Sequence, residues 1–216
     1  MLMSLFEVYD PFTFYFDLSL NWLALCFFFF FLVFNYWGIL GSLGVSFGLM
    51  MGFLVSEFVT FFSFSKMKTS LLFFVCLFFY ILFINILGLI PYVFSCSTHF
   101  VFSISLALPF WLGLMILGWL NFTNSMFSHL IPVGTPVLLM SFMVLIETVS
   151  NFIRPWSLSV RLMANMISGH LLMSLLGECG SYFVPVGLCL FAFEFFVCFI
   201  QGYVFCALLT LYSSEI

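Results

Sequence analysis

Between Lys68 and Glu147 the chain runs through residues 69–146, 78 positions, without an Asp, Glu, Lys or Arg. Such a stretch cannot furnish a water-facing surface, so it lies within a bilayer or against other apolar protein. The rest of the composition agrees. Only 6% of the 216 residues are charged and 65% are hydrophobic, against roughly 25% charged in an ordinary soluble domain. A soluble globule is excluded, and so is a disordered chain, which needs low hydrophobicity and high charge. Four basic residues in all cannot form a nucleic-acid footprint.

A membrane leaves two architectures, helices or a closed barrel. Barrel strands alternate over short segments, whereas 25–34 and 71–84 are continuous apolar runs. The fold class is therefore an all-α integral membrane protein, with room for about five to six helices at ~20 residues per crossing. The acidic residues Glu7, Asp10 and Asp17 precede the first basic one, Lys66. This does not match a secretory signal or a presequence, and no cleaved leader is expected. The seven cysteines show no CxxC and suit small apolar packing residues better than a disulfide or metal framework.

The chain reads as one membrane domain, 1–216. A first transmembrane helix is expected over 20–40, ending at Tyr36 and Trp37 like a headgroup belt. Residues 45–65 carry Glu57 and several hydroxyls and suit either a span or an interfacial helix, with the interface preferred. Lys66 and Lys68 place their loop on the matrix or cytoplasmic side. Transmembrane helices follow over 71–90 and 100–120. Thr135 and Pro136 form a good N-cap and N1 pair, opening a helix over 136–177 that Gly177 or Gly180 can end. Such a helix is ~60 Å long, twice the ~30 Å hydrocarbon layer, so it runs obliquely or breaks at Pro155. A last helix over 184–212 completes a long tilted hairpin.

The first long helix carries a polar stripe. In projection at about 100° per residue, Glu147, Ser150, Arg154, Ser157, Asn165 and Ser168 fall within about 40° of Arg161, flanked by apolar faces. Serines and an Asn on one face commonly join membrane helices by hydrogen bonds. That explains the stripe's smaller members and explains Arg161 poorly. Arg161 lies deep in the run and stays protonated, no acid lies within a turn of it, and a bare charge at mid-bilayer costs at least ~2.5–3.5 kcal/mol. Its anionic partner is expected from another subunit. His170 faces the opposite way. Glu194 and Gln201 share a face of the last helix, ~10 Å apart. In an antiparallel hairpin His170 and Glu194 sit near the shared turn, where a His–Glu pair suits a proton relay. His99 and His129 are too dispersed to join a metal site. No cofactor motif is present.

The run Arg154-Pro-Trp-Ser-Leu-Ser-Val-Arg161-Leu-Met-Ala-Asn165-Met-Ile-Ser-Gly169-His170-Leu-Leu resembles the signature of subunit a of the F-type ATP synthase: Arg, Asn four residues on, then Gly-His-Leu-Leu. Asn85-Ile-Leu-Gly88-Leu-Ile-Pro91, His129 to Pro136 with Ile146-Glu147-Thr148, and Glu194 to Phe205 resemble the family's other segments in order. The resemblance covers about 69–212. His170 with Glu194 matches the mitochondrial arrangement. Ser168 departs from the usual Ala, and 41–65 is more apolar than the family's interfacial helix.

The resemblance implies a stator subunit in the mitochondrial inner membrane. It would face a ring of c subunits and contact peripheral-stalk and other membrane-sector subunits, the lipid bilayer and translocated protons. Arg161 would separate two proton half-channels. Glu147, Asn165, His170, Glu194 and Gln201 would line the proton path, with Arg154, Ser150 and Ser168 secondary to them. The lack of an oxygen cage favours protons over sodium. A secondary transporter would show paired repeats, which are absent from the sequence. A purely structural membrane subunit would tolerate loss of Arg161.

Overall fold

The computed structural model describes residues 9–12, 18–26, 41–61, 70–90, 93–121, 123–131, 136 and 139–215. Most of the helix expected over 20–40, and the lysine loop, lie outside these residues. Residues Leu20–Cys26 form a 3-10 turn. The described residues contain six α-helices and no strand: α1 Ser42–Phe61, α2 Ser70–Leu89, α3 Phe100–Asn121, α4 Thr123–His129, α5 Met140–Glu178 and α6 Val184–Glu215. Four of them, α2, α3, α5 and α6, are long and apolar enough to cross a membrane. The chain is thus an all-helical membrane protein.

Helix α2 packs chiefly against α6, α3 against α5, and α5 and α6 against each other. Lipid tails are as apolar as Leu, so packing rather than exclusion from water holds such helices together. Aromatic and branched side chains supply it: Phe58 of α1, Phe78 and Ile81 of α2, Leu162 of α5 and Phe205 of α6 are fully enclosed. Helix α1 occupies the segment read as interfacial or spanning. Leu54 and Phe58 turn into the bundle, while Leu49 and Phe53 face outward. All seven cysteines are free. Burial pushes the Cys96 thiol, in the loop between α2 and α3, up to about 11, which keeps it protonated and unreactive.

Helix α5 departs from the sequence reading at its start. It begins at Met140, not at Pro136. The Leu139 amide donates to the Pro136 carbonyl at 2.9 Å. That three-residue spacing closes a turn, and no side chain caps the helix. The break allowed at Pro155 does not occur. Pro155 lies inside a continuous helix of 39 residues and is buried on its packed side. Neighbouring helices make a proline tolerable in such a setting. At 1.5 Å per residue α5 measures about 58 Å, so it is too long to stand upright in a ~30 Å layer. Its end is set by Gly180, whose φ of +94° lies in the left-handed region that favours glycine. A 3-10 turn, Ser181–Phe183, then leads into α6.

Candidate functional site

The polar stripe of α5 runs along the border of its packed face. Pro155, Leu158, Ser159, Leu162, Met166 and Gly169 are buried, about a quarter turn from Arg161. Glu147, Ser150, Arg154 and Asn165 are half-buried, whereas Ser157, Arg161 and Ser168 are exposed. The Ser157 hydroxyl donates to the Arg154 carbonyl (2.9 Å) and that of Ser168 to the Asn165 carbonyl (3.0 Å). These serines bond back onto their own helix rather than across to another.

The two arginines differ. Arg154 donates to Glu147 Oε1 at 3.3 Å, and its guanidinium lies 4.8 Å from the ring centre of Tyr212 on α6, within cation–π range. Arg161 makes no hydrogen bond or ion pair among the described residues. Its exposed neighbours along the stripe are Ser157 and Ser168, and Val160 beside it is exposed too. An unpaired guanidinium within a membrane span is costly. The arrangement suits a partner that brings an anion within an apolar surface.

The antiparallel hairpin juxtaposes the remaining candidates. Asn165 donates from Nδ2 to Gln201 Oε1 at 2.9 Å. One turn further along α5, the Glu194 carboxyl fills the space that a side chain on Gly169 would occupy. Between these rungs Cys198 Sγ meets Met166 Sδ at 3.6 Å. Asn165, Gln201 and Glu194 therefore lie along one column on the α5–α6 seam, with the Cys198–Met166 sulfur contact between the amide pair and the carboxyl. His170 itself is half-buried, and its Nε2 is enclosed with no partner among the described residues. It makes no direct hydrogen bond to Glu194 there.

The Asn165–Gln201 bond yields a prediction. Interhelical hydrogen bonds in membranes average only ~0.6 kcal/mol, but an orphaned buried amide costs about 1–3 kcal/mol. Asn165→Leu should therefore lower the temperature at which the purified protein unfolds in detergent. Adding Gln201→Leu should recover much of that loss, because both polar partners are then gone. A second drop from the added substitution would count against the pairing.

Two residues outside the sequence-based set belong beside this column. Asn85 of α2 is fully buried, and neither side-chain polar atom has a partner among the described residues. Its backbone carbonyl faces Cys198 Sγ at 4.0 Å. A lone Asn within the apolar run 71–90 was a usable signal, since amides in membrane helices are rarely idle. The other is Tyr9, whose ring meets that of His170 edge-on. No local pattern could have revealed a contact between positions so far apart in the chain.

Comparison with known proteins gives the family. The family described as ATP synthase A chain matches residues 22–214. The ATP synthase subunit a of Anopheles gambiae is 44% identical over 225 aligned positions, spanning 100% of both chains. That of Drosophila simulans is 44% identical over 224 positions, and that of Locusta migratoria 43% over 224, each again over 100% of both chains. Full-length similarity at this level leaves no segment of the helical bundle unaccounted for, and the chain belongs to the ATP synthase A chain family.

Proposed function

We propose that this chain is the stator subunit of the membrane sector of a mitochondrial F-type ATP synthase, a multi-pass inner-membrane protein that couples proton flow to rotation of a ring of c subunits. The observation that carries the reading is Arg161, exposed and without a partner among the described residues on a helix too long to stand upright. A ring of subunits, each bearing a carboxylate, supplies the missing anion. An oblique helix presents one face along the curve of such a ring.

Protons enter from the intermembrane space past Glu194, His170, Gln201 and Asn165 and neutralise a ring carboxylate. The neutral acid can then face lipid, where its anion could not. After nearly a full turn the acid reaches the outlet beside Glu147, which opens to the matrix, and releases its proton. Arg161 stands between the two paths. Its charge favours the ionised carboxylate and repels a proton crossing directly. Each proton delivers about 2.3 kcal/mol per 100 mV. The chain performs no covalent chemistry itself; its partners are the ring, the peripheral stalk and other membrane-sector subunits.

Gentle detergent extraction of native membranes tests the assignment. The chain, a ring of small acid-bearing subunits and ATPase activity should comigrate, and an antibody to the chain should deplete all three. Activity and ring left behind in the supernatant would contradict the reading.

A further inference from the structure

The imidazole of His170 makes no hydrogen bond among the described residues, so neither ring nitrogen is tied to protein there. A histidine usually takes its ring orientation from a hydrogen bond at one nitrogen, and the torsion that turns the ring is otherwise broad. Packing must therefore set the plane of this ring. The Tyr9 ring meets it, with centroids 6.4 Å apart and planes at 85°. This is the edge-to-face arrangement that aromatic quadrupoles favour. Tyr9 is half-buried, and burial raises the pKa of its phenol, so the ring stays uncharged at neutral pH.

The segment bearing Tyr9 is tied to the turn that follows it. Asn21 Nδ2 donates to the Asp10 carbonyl at 3.4 Å. Asn21 belongs to the turn Leu20–Cys26, whose Trp22 packs against Phe94 (5.7 Å) and His99 (5.1 Å) in the α2–α3 loop. A single hydrogen bond thus links the segment bearing Tyr9 to this aromatic cluster.

We infer that Tyr9 is a positioning residue for His170: its ring closes one side of the imidazole and holds it in the plane from which it passes protons. The role in proton transfer rests on the proposed function; the seating of the ring does not. The contact is made by the ring rather than the hydroxyl, so Tyr9→Phe should preserve it and Tyr9→Leu should remove it.

The test uses the purified, membrane-reconstituted complex with two readouts. The first is the rate at which diethyl pyrocarbonate modifies His170, followed by mass spectrometry, with His99 as internal reference. The second is ATP-driven proton pumping. Tyr9→Leu should speed modification of His170 relative to His99 and slow pumping by up to about 100-fold, the scale on which misplaced reacting groups cost rate. Tyr9→Phe should match the unaltered protein in both. If the Leu variant does not assemble, Tyr9→Met replaces it with the same expectations. Unchanged modification of His170 in the Leu or Met variant would overturn the seating. Faster modification with unaltered pumping would overturn the positioning role. Pumping that survives loss of Arg161 as well would mark failure of the proposed function instead, with the seating still readable from the modification rate.

Discussion

Arg161→Gln is expected to reduce ATP-driven proton pumping to background while the complex still assembles. Arg161 contributes no hydrogen bond or ion pair among the described residues, so its removal breaks no such contact within the chain. The chain's own packing does not rest on the guanidinium, so assembly should hold. Arg154 is not a substitute. Glu147 at 3.3 Å and the face of Tyr212 already engage it, and it lies about two turns away. The measurement is acidification of vesicles containing purified complex, alongside native gel analysis of assembly. Assembled complex without acidification is the expected result; coupled pumping retained in Arg161→Gln would refute a charge barrier at this position.

The second large effect is expected at Gly169. A methyl group there would overlap the carboxyl carbon and both oxygens of Glu194. The obstructing atoms are the end of a flexible side chain, so Glu194 can swing aside and the helices need not part. Alanine also favours helix by up to ~1 kcal/mol over glycine. Gly169→Ala should therefore leave thermal stability unchanged or improved while slowing proton flux by at least about 10-fold, equivalent to ~1.4 kcal/mol of barrier. Combining it with Glu194→Asp, which withdraws the carboxyl by one methylene, should restore part of the flux. Full flux in assembled Gly169→Ala would show that the position of the Glu194 carboxyl does not matter.

These effects were legible in the sequence to different degrees. Arg161 stood out because a permanent cation deep in an apolar run has few uses, and one helical projection placed its polar neighbours on its own face. Asn165, Gln201 and Glu194 were recognisable as polar groups in apolar helices. Their pairing was not, because it depends on the register in which α5 and α6 pack. The antiparallel hairpin expected from the shared turn brings the Glu194 carboxyl against Gly169, next to His170, with no hydrogen bond between the two among the described residues. The start of α5 was misplaced because Thr135 and Pro136 form a good local signal, yet the Pro136 carbonyl closes a turn instead.

What the sequence alone determined was the solvent, the helical class and the set of costly polar groups. Each follows from local composition and period: charge-free runs demand lipid, lipid demands internal backbone bonding, and a 3.6-residue repeat assigns faces. Only the tertiary structure decided which polar groups are satisfied. Arg154 finds the ring of Tyr212 on α6, Asn165 finds Gln201, and Arg161 finds nothing among the described residues. Helical period sets the direction a side chain takes from its own axis, while the neighbour it meets is chosen by packing between helices far apart in the chain.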